Sequence, residues 1–298
     1  MGVILLRDND AIYVNPSTGG DSLTVHGSDW LFAVTAVYVV SFLVFLASSF
    51  KPFSGERIFH YIFTTSLLVG SIVYFSWASN LGSSLIVGRQ IFWVKYIFCK
   101  QIEDTIKGGV VLTQPKGVVE FPAIIAALGL LSGVSWATIV YNIFLSWIWI
   151  ISYLVSAFTS SSYKWGFYAF GTAAWLILAW NTISYGRTGA TRLGVSRDHT
   201  FLSAWTNLLW LLWPIAFGVT DGGRVIGVTQ TTIFFGVLDI LLTPVVAFAF
   251  LFFSRRWDYN RLNLAFTRYG RVQDGGNFPE KTTGAPAAGG ATTTAPAV

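Results

Sequence analysis

Long apolar windows dominate this chain, at residues 30–50, 58–80, 121–131, 134–158, 165–183, 201–219 and 231–253, separated by short polar connections. A helix needs about 20 mostly apolar residues to cross the hydrocarbon core of a bilayer. All the windows except the third reach that length. Only 11% of the residues are charged and 53% are hydrophobic, whereas a soluble globular chain carries roughly a quarter charged residues. Too few polar side chains remain to coat a water-facing surface, so the chain reads as an integral membrane protein. Aromatics at 17% suit lipid-facing helices and interfacial belts, and they argue against a disordered or nucleic-acid-binding chain. A single cysteine, Cys99, excludes an intramolecular disulfide and a cysteine-based zinc cage. The scattered His26, His60 and His199 read as loop or helix-end residues, and no metal site is expected.

No small-residue cleavage site follows a long apolar region near Met1, so residues 1–27 read as an extracellular segment and not as a signal peptide. Connections after the first and fifth windows, and the stretch after the last, carry Lys51, Arg57, Arg187, Arg192, Arg197, Arg255, Arg256 and Arg261. The alternate set carries Arg89, Lys164 and Arg224. This asymmetry predicts an N-terminus outside and a C-terminus in the cytosol, which requires an odd number of spans. Residues 261–298 read as a basic stretch followed by a Gly, Pro, Ala and Thr tail that cannot bury enough surface to fold. The basic part either lies on anionic lipid or ends a solvated helix.

The third window is anomalous. Residues 89–98 read as the start of a helix, but residues 99–116 then bring Lys100, Lys107, Lys116, Glu103, Asp104, Gly108, Gly109 and Pro115 to bilayer depth. Each charge near the centre of a span costs about 2.5–3.5 kcal/mol on insertion scales. Without 99–116, the flanks join into one span of the right length. These residues are therefore expected to be a retained intron. Cys99-Lys100 can be encoded with a GTAAG donor, Leu112-Thr113 with a branch site and Lys116-Gly117 with an acceptor AG. Excision restores a Trp codon at the junction. The alternative is a real loop or re-entrant insertion.

Several motifs occur in order along the spans. Trp210-Leu-Leu-Trp213-Pro214 lies in the sixth and Phe235-Gly-Val-Leu-Asp239 in the seventh. Gly171-Thr172-Ala173-Ala174-Trp175 lies in the fifth, and Arg89-Gln-Ile-Phe-Trp-Val-Lys-Tyr with Pro122 in the third. Over residues 28–260 this pattern resembles the microbial rhodopsin fold and, within it, fungal opsin-related proteins of the heat-shock type. The resemblance implies an all-α, seven-transmembrane helix bundle.

In light-driven members of that family, a lysine one helical turn after the seventh-helix aspartate binds retinal as a Schiff base. Here Thr243 stands in that position, and no lysine occurs between Lys164 and Lys281. An imine needs the amine, so no covalent retinal cofactor is expected. In the spliced register Phe98, Lys95 and Ala127 fall at the family's proton-acceptor, arginine and proton-donor positions. Trp210, Trp213, Pro214 and the restored Trp match the residues that sandwich the polyene, with Tyr168 and Phe217 in related places. These aromatics either pack helices together or line a pocket for a noncovalent sterol, retinoid or fatty acid.

Intramembrane charge supplies the other candidate site. Asp239 is expected to face the bundle interior and find a partner. With 99–116 removed, Lys95 and Glu120 lie two helical turns apart on one face. A Lys95–Asp239 ion pair with Glu120 beside it is the expected arrangement, either fixing helix register or serving as a proton or ion site. No His, Cys or metal-ligand constellation falls within the spans, so no enzyme is expected.

Two functions remain. The resemblance implies a stress-associated plasma-membrane protein that acts by interaction, with the plasma-membrane proton ATPase as the partner such relatives restrain. The other is a proton or small-solute transporter or channel using Lys95, Glu120 and Asp239. The bilayer is the obligatory partner, and homo-oligomerisation is compatible with small residues on lipid-facing helices.

Overall fold

The computed structural model describes residues 9–17, 20–50, 57–96, 116–262, 266–267 and 270–271. After a short turn of helix, α1 (Ala11–Val14), come α2 (Val25–Ser48) and α3 (Ile58–Ala78). A hairpin of β1 (Ser83–Ile86) and β2 (Arg89–Phe92) leads to a 3-10 turn at Trp93–Lys95. The chain then continues as α4 (Lys116–Ser132), α5 (Trp136–Phe158) and α6 (Lys164–Trp180). A π turn at Asn181–Tyr185 carries α6 directly into α7 (Gly186–Leu193). Then come α8 (Ser196–Val219), α9 (Val228–Leu242), α10 (Pro244–Ser254) and α11 (Tyr259–Leu262), and a small β3–β4 pair at Phe266–Thr267 and Gly270–Arg271.

Among the described residues the long helices form seven rods, counting α6–α7 and α9–α10 as one each. Their contacts close a ring: α2 on α3, α3 on α4, α4 on α5, α5 on α6, α7 on α8, α8 on α9 and α9 on α2. α4 also touches α7 and α8, so it crosses the middle of the bundle. Among the described residues five helices are long and apolar enough to span a membrane: Val25–Ser48, Ile58–Ala78, Trp136–Phe158, Ser196–Val219 and Val228–Ser254.

Local chemistry sets several helix ends. Thr24 caps α2 by accepting from the Gly27 N–H at 3.3 Å, and Ser135 caps α5 by accepting from Thr138 at 3.2 Å. Each satisfies one of the donors that a helix N-terminus leaves open. Pro244 has no N–H to give to the preceding turn, and the seventh rod is interrupted there, with Thr243 at the junction. Outward faces stay apolar, with Val40 and Leu43 of α2, Phe144 of α5 and Phe170 of α6 exposed, as contact with lipid tails requires.

The structure corrects the sequence reading at three places. Residues 89–96 do not begin an α-helix: Arg89–Phe92 pairs antiparallel with Ser83–Ile86, and residues 97 and 98 lie outside the described residues. Val87 and Gly88 both take positive φ, 50° and 74°, which is the two-residue hairpin turn whose twist matches its strands. The fifth rod runs on through Leu193, so Arg187 and Arg192 sit on helix and not in a connection. α2 starts at Val25, five residues before the apolar window, because Thr24 supplies the cap. Residues 99–116 lie outside the described residues, except that Lys116 opens α4.

Candidate functional site

The expected group of Lys95, Glu120 and Asp239 divides into two. Lys95, at the end of the 3-10 turn, makes its ion pair with Asp221 and not with Asp239. Asp221 follows α8 in a Gly-rich turn. Lys95 and Asp221 are each only 3% exposed, and the Tyr96 hydroxyl donates to Asp221 Oδ2 at 2.6 Å. The Lys95 ammonium also stands 4.2 Å from the centroid of the Phe235 ring, so an aromatic face shares the charge. Arg89 occupies the same end of the bundle. It donates to the Ile226 carbonyl at 2.7 Å and the Thr231 hydroxyl at 3.1 Å, and it pairs with Asp21 at 3.3 Å.

Asp239 and Glu120 belong to a second polar group at mid-bundle. Tyr74 of α3 donates to Asp239 Oδ2 at 2.5 Å, and Tyr38 of α2 donates to the Asp239 carbonyl at 3.1 Å. Thr243 donates to Glu120 Oε2 at 3.3 Å. The approach of α2, α3 and α4 here depends on Gly70. A Cβ at that position would collide with the Tyr38 ring and lie 2.6 Å from Glu120 Oε1.

The aromatic candidates also form two groups. Trp210 and Trp213 of α8 are buried, and two further rings pack against both of them. Phe121 of α4 lies 5.8 Å from Trp210 and 5.3 Å from Trp213 between ring centroids. Trp149 of α5 lies 6.1 Å and 6.4 Å from the same two, and 5.1 Å from Phe121. Tyr168 and Phe217 stack at 5.7 Å and share Tyr153, while the Tyr168 hydroxyl donates to the Pro214 carbonyl at 3.3 Å.

These residues do not fit retinal. Thr243 offers a hydroxyl and not the amine an imine needs, and Phe121 and Trp149 pack directly against Trp210 and Trp213. The sequence reading missed Asp221, Phe121 and Trp149. Asp221 offered one signal, an acid directly after an apolar span, and the two rings offered none that separates them from the other aromatics of their helices.

A third polar group occupies the opposite end of the bundle, on α5, the π turn and α8. Asn181 donates to Asn142 Oδ1 at 2.9 Å, and Asn207 donates to the Thr182 hydroxyl at 3.1 Å.

The bacteriorhodopsin-like protein family matches residues 118–258. The chain is 34% identical over 278 residues to the opsin-like protein carO of Fusarium fujikuroi, covering 87% of this chain and 85% of that protein. It is 35% identical over 270 residues to protein FDD123 of Trametes versicolor, covering 88% and 89%. It is 27% identical over 267 residues to the 30 kDa heat shock protein of Saccharomyces cerevisiae, covering 80% and 76%. Among solved structures, the light-driven proton pump LR (Mac) from Leptosphaeria maculans superposes with a TM-score of 0.71 at 25% identity, covering 79% of this chain and 97% of that one. The helix ring and the relatives together make this an integral membrane protein, of a family of membrane proteins and not of enzymes. The chain belongs to the bacteriorhodopsin-like family, among its fungal opsin-related members.

Proposed function

We propose that this protein is a non-photoactive, opsin-like protein of the plasma membrane, of the stress-response type, that acts by contact with membrane partners such as the proton ATPase. The observation that carries the non-photoactive half is the mid-bundle chemistry, with Thr243 bonded to Glu120 and Phe121 and Trp149 packed on Trp210 and Trp213. A protein that keeps the scaffold without its chromophore site has its outer surface left to work with. Similarity to the 30 kDa heat shock protein supports the stress-response half. With the N-terminus outside, exposed Arg187, Arg192, Arg197, Arg255 and Arg256 present cationic ends to the cytosol. Crosslinking of tagged protein in cells under acid or heat stress, read by mass spectrometry, is expected to recover the proton ATPase. Replacing Arg255 and Arg256 by Gln is expected to reduce that recovery several-fold, and recovery equal to that of an unrelated plasma-membrane protein would exclude the partner.

A second reading is favoured by one observation: Tyr38, Tyr74, Asp239, Thr243 and Glu120 form a buried polar group that joins four rods. It would serve proton or small-solute passage, with Lys95 held apart in its pair with Asp221. Dark proton flux into vesicles of purified protein, abolished by Asp239→Asn, is the expected result of transport. Under the interaction reading, flux stays at the level of empty vesicles.

Residues 99–116 are proposed to be a retained intron. α4 is described for 17 residues, about 26 Å at 1.5 Å per residue, short of the roughly 30 Å hydrocarbon core. The family match begins at residue 118, just past the suspect stretch. Sequencing the transcript is expected to give a major message without those codons, joining Phe98 through a Trp to Val118.

A further inference from the structure

Charge is distributed unevenly between the two ends of the bundle. Among the described residues, the end where α2 begins sets Asp10, Asp21, Asp29 and Asp221 against Arg89, Lys95, Lys164 and Arg224. The end where α8 begins and α10 stops carries exposed Arg187, Arg192, Arg197, Arg255 and Arg256, with Arg57 partly buried, against Asp198 and Asp258 alone. Asp198 Oδ2 accepts from the Trp257 indole N–H at 2.9 Å, and its Oδ1 lies 3.6 Å from Arg197 Nε. Those contacts tie the first turn of α8 to the segment just past α10, so Arg197, Arg255 and Arg256 stand together. Arg255 and Arg256 pair with no carboxylate among the described residues.

Aromatic rings continue this cluster toward the middle of the membrane. Phe201 follows Arg197 by four residues, and Phe252 precedes Arg256 by four, a spacing that puts each ring and its arginine on one face a turn apart. The Arg256 guanidinium carbon stands 5.5 Å from the centroid of the Phe252 ring. Phe201 and Phe252 are 54% and 55% exposed, and Phe253 lies 5.6 Å from each between ring centroids. Two membrane-spanning helices thus present one row of outward rings, topped by arginines at headgroup depth.

We infer that the ends of α8 and α10 bind one anionic glycerophospholipid, its phosphate held by Arg197 and Arg256 with Arg255 beside them, and an acyl chain lying on Phe201, Phe253 and Phe252. A guanidinium matches two phosphate oxygens at once, and its apolar stem lies along the rings while the head stays in water. A zwitterionic lipid carries an ammonium that cancels its phosphate, so it gains less from three arginines than a net-negative headgroup. A phosphorylated solute without chains would leave the rings unused. With the N-terminus outside, this end lies in the cytosolic leaflet, where anionic lipid is concentrated. The inference takes only its leaflet from that reading and does not involve the proton ATPase.

The test is native mass spectrometry of the delipidated full chain in detergent, titrated with dioleoylphosphatidylserine and, separately, dioleoylphosphatidylcholine. The first phosphatidylserine is expected to bind about tenfold more tightly than the first phosphatidylcholine. Arg197→Gln with Arg256→Gln, both at exposed positions, should bring the two lipids to equal affinity, whereas Lys164→Gln at the opposite end should leave the preference in place. Glycerophosphoserine, the headgroup without chains, is expected not to displace the bound lipid. Equal affinities in the unmodified chain, a preference that survives the double arginine variant, or a preference lost equally in Lys164→Gln would overturn the inference. Displacement by glycerophosphoserine at the same concentration as the lipid would also overturn it, since the ring row would then contribute nothing. The sample holds no ATPase and gives one answer in either orientation, so failure here leaves the partner reading untouched.

Discussion

Thr243→Lys is expected to restore no pigment: membranes holding the variant, given all-trans retinal, should develop no visible absorption band. Two physical reasons act together. An amine introduced at Thr243 stands beside Glu120, whose Oε2 already accepts from the Thr243 hydroxyl at 3.3 Å. A buried ammonium paired with that carboxylate is no nucleophile, and imine formation needs the neutral amine. The chromophore's space is also taken by Phe121 and Trp149, each packed on both Trp210 and Trp213. Removing both obstacles in the lysine background, as Thr243→Lys with Glu120→Gln, Phe121→Thr and Trp149→Gly, is expected to allow a band to form. Each truncation of a buried aromatic costs about 3–5 kcal/mol of packing until retinal fills the space. A visible band from the single Thr243→Lys variant would show that the slot is open.

Asp221→Asn is expected to destabilise the fold strongly. It leaves the Lys95 ammonium buried beside Phe235 and Tyr96 without the carboxylate that balances it. Breaking a buried pair by removing one partner costs about 3–5 kcal/mol, because the remaining charge stays out of water. The unfolding temperature in nanodiscs should fall by about 10 °C for a chain of this size. The double variant Lys95→Met with Asp221→Leu should recover most of that loss, since two apolar side chains need no counter-charge. Asp239→Asn should lower the unfolding temperature less than Asp221→Asn, because an amide can still accept from Tyr74. Equal losses in the two single variants would place Lys95 with Asp239 after all.

The pairing of Lys95 marks where sequence reasoning stopped. Helical spacing relates residues on one helix; Lys95, Glu120 and Asp239 are all buried, but Lys95 stands on a 3-10 turn and not on the helix that carries Glu120. Such spacing has no means of relating Tyr96 to Asp221 across 125 residues. Asp221 follows an apolar span and precedes Gly222 and Gly223, so it reads as a solvent-facing turn. The fold instead turns that loop inward over the end of the bundle. The hairpin at Ser83–Ile86 and Arg89–Phe92 was hidden for a related reason. Arg89–Phe98 is apolar enough to read as a helix, and the positive φ at Val87 and Gly88 turns Arg89–Phe92 back as a strand on Ser83–Ile86.

By itself the sequence determined that the chain is a membrane-spanning helical bundle, because apolar windows of bilayer length and a low charge fraction leave the chain no water-soluble alternative. It also determined that no amine stands at position 243, since that is a matter of residue type. The tertiary structure alone decided which acid neutralises Lys95, that Thr243 turns to Glu120, and that Phe121 and Trp149 close the aromatic space. Burial and helical period specify which face of a helix points inward, but the partner met there depends on how several rods cross. Those crossings are fixed by packing among residues far apart in the chain.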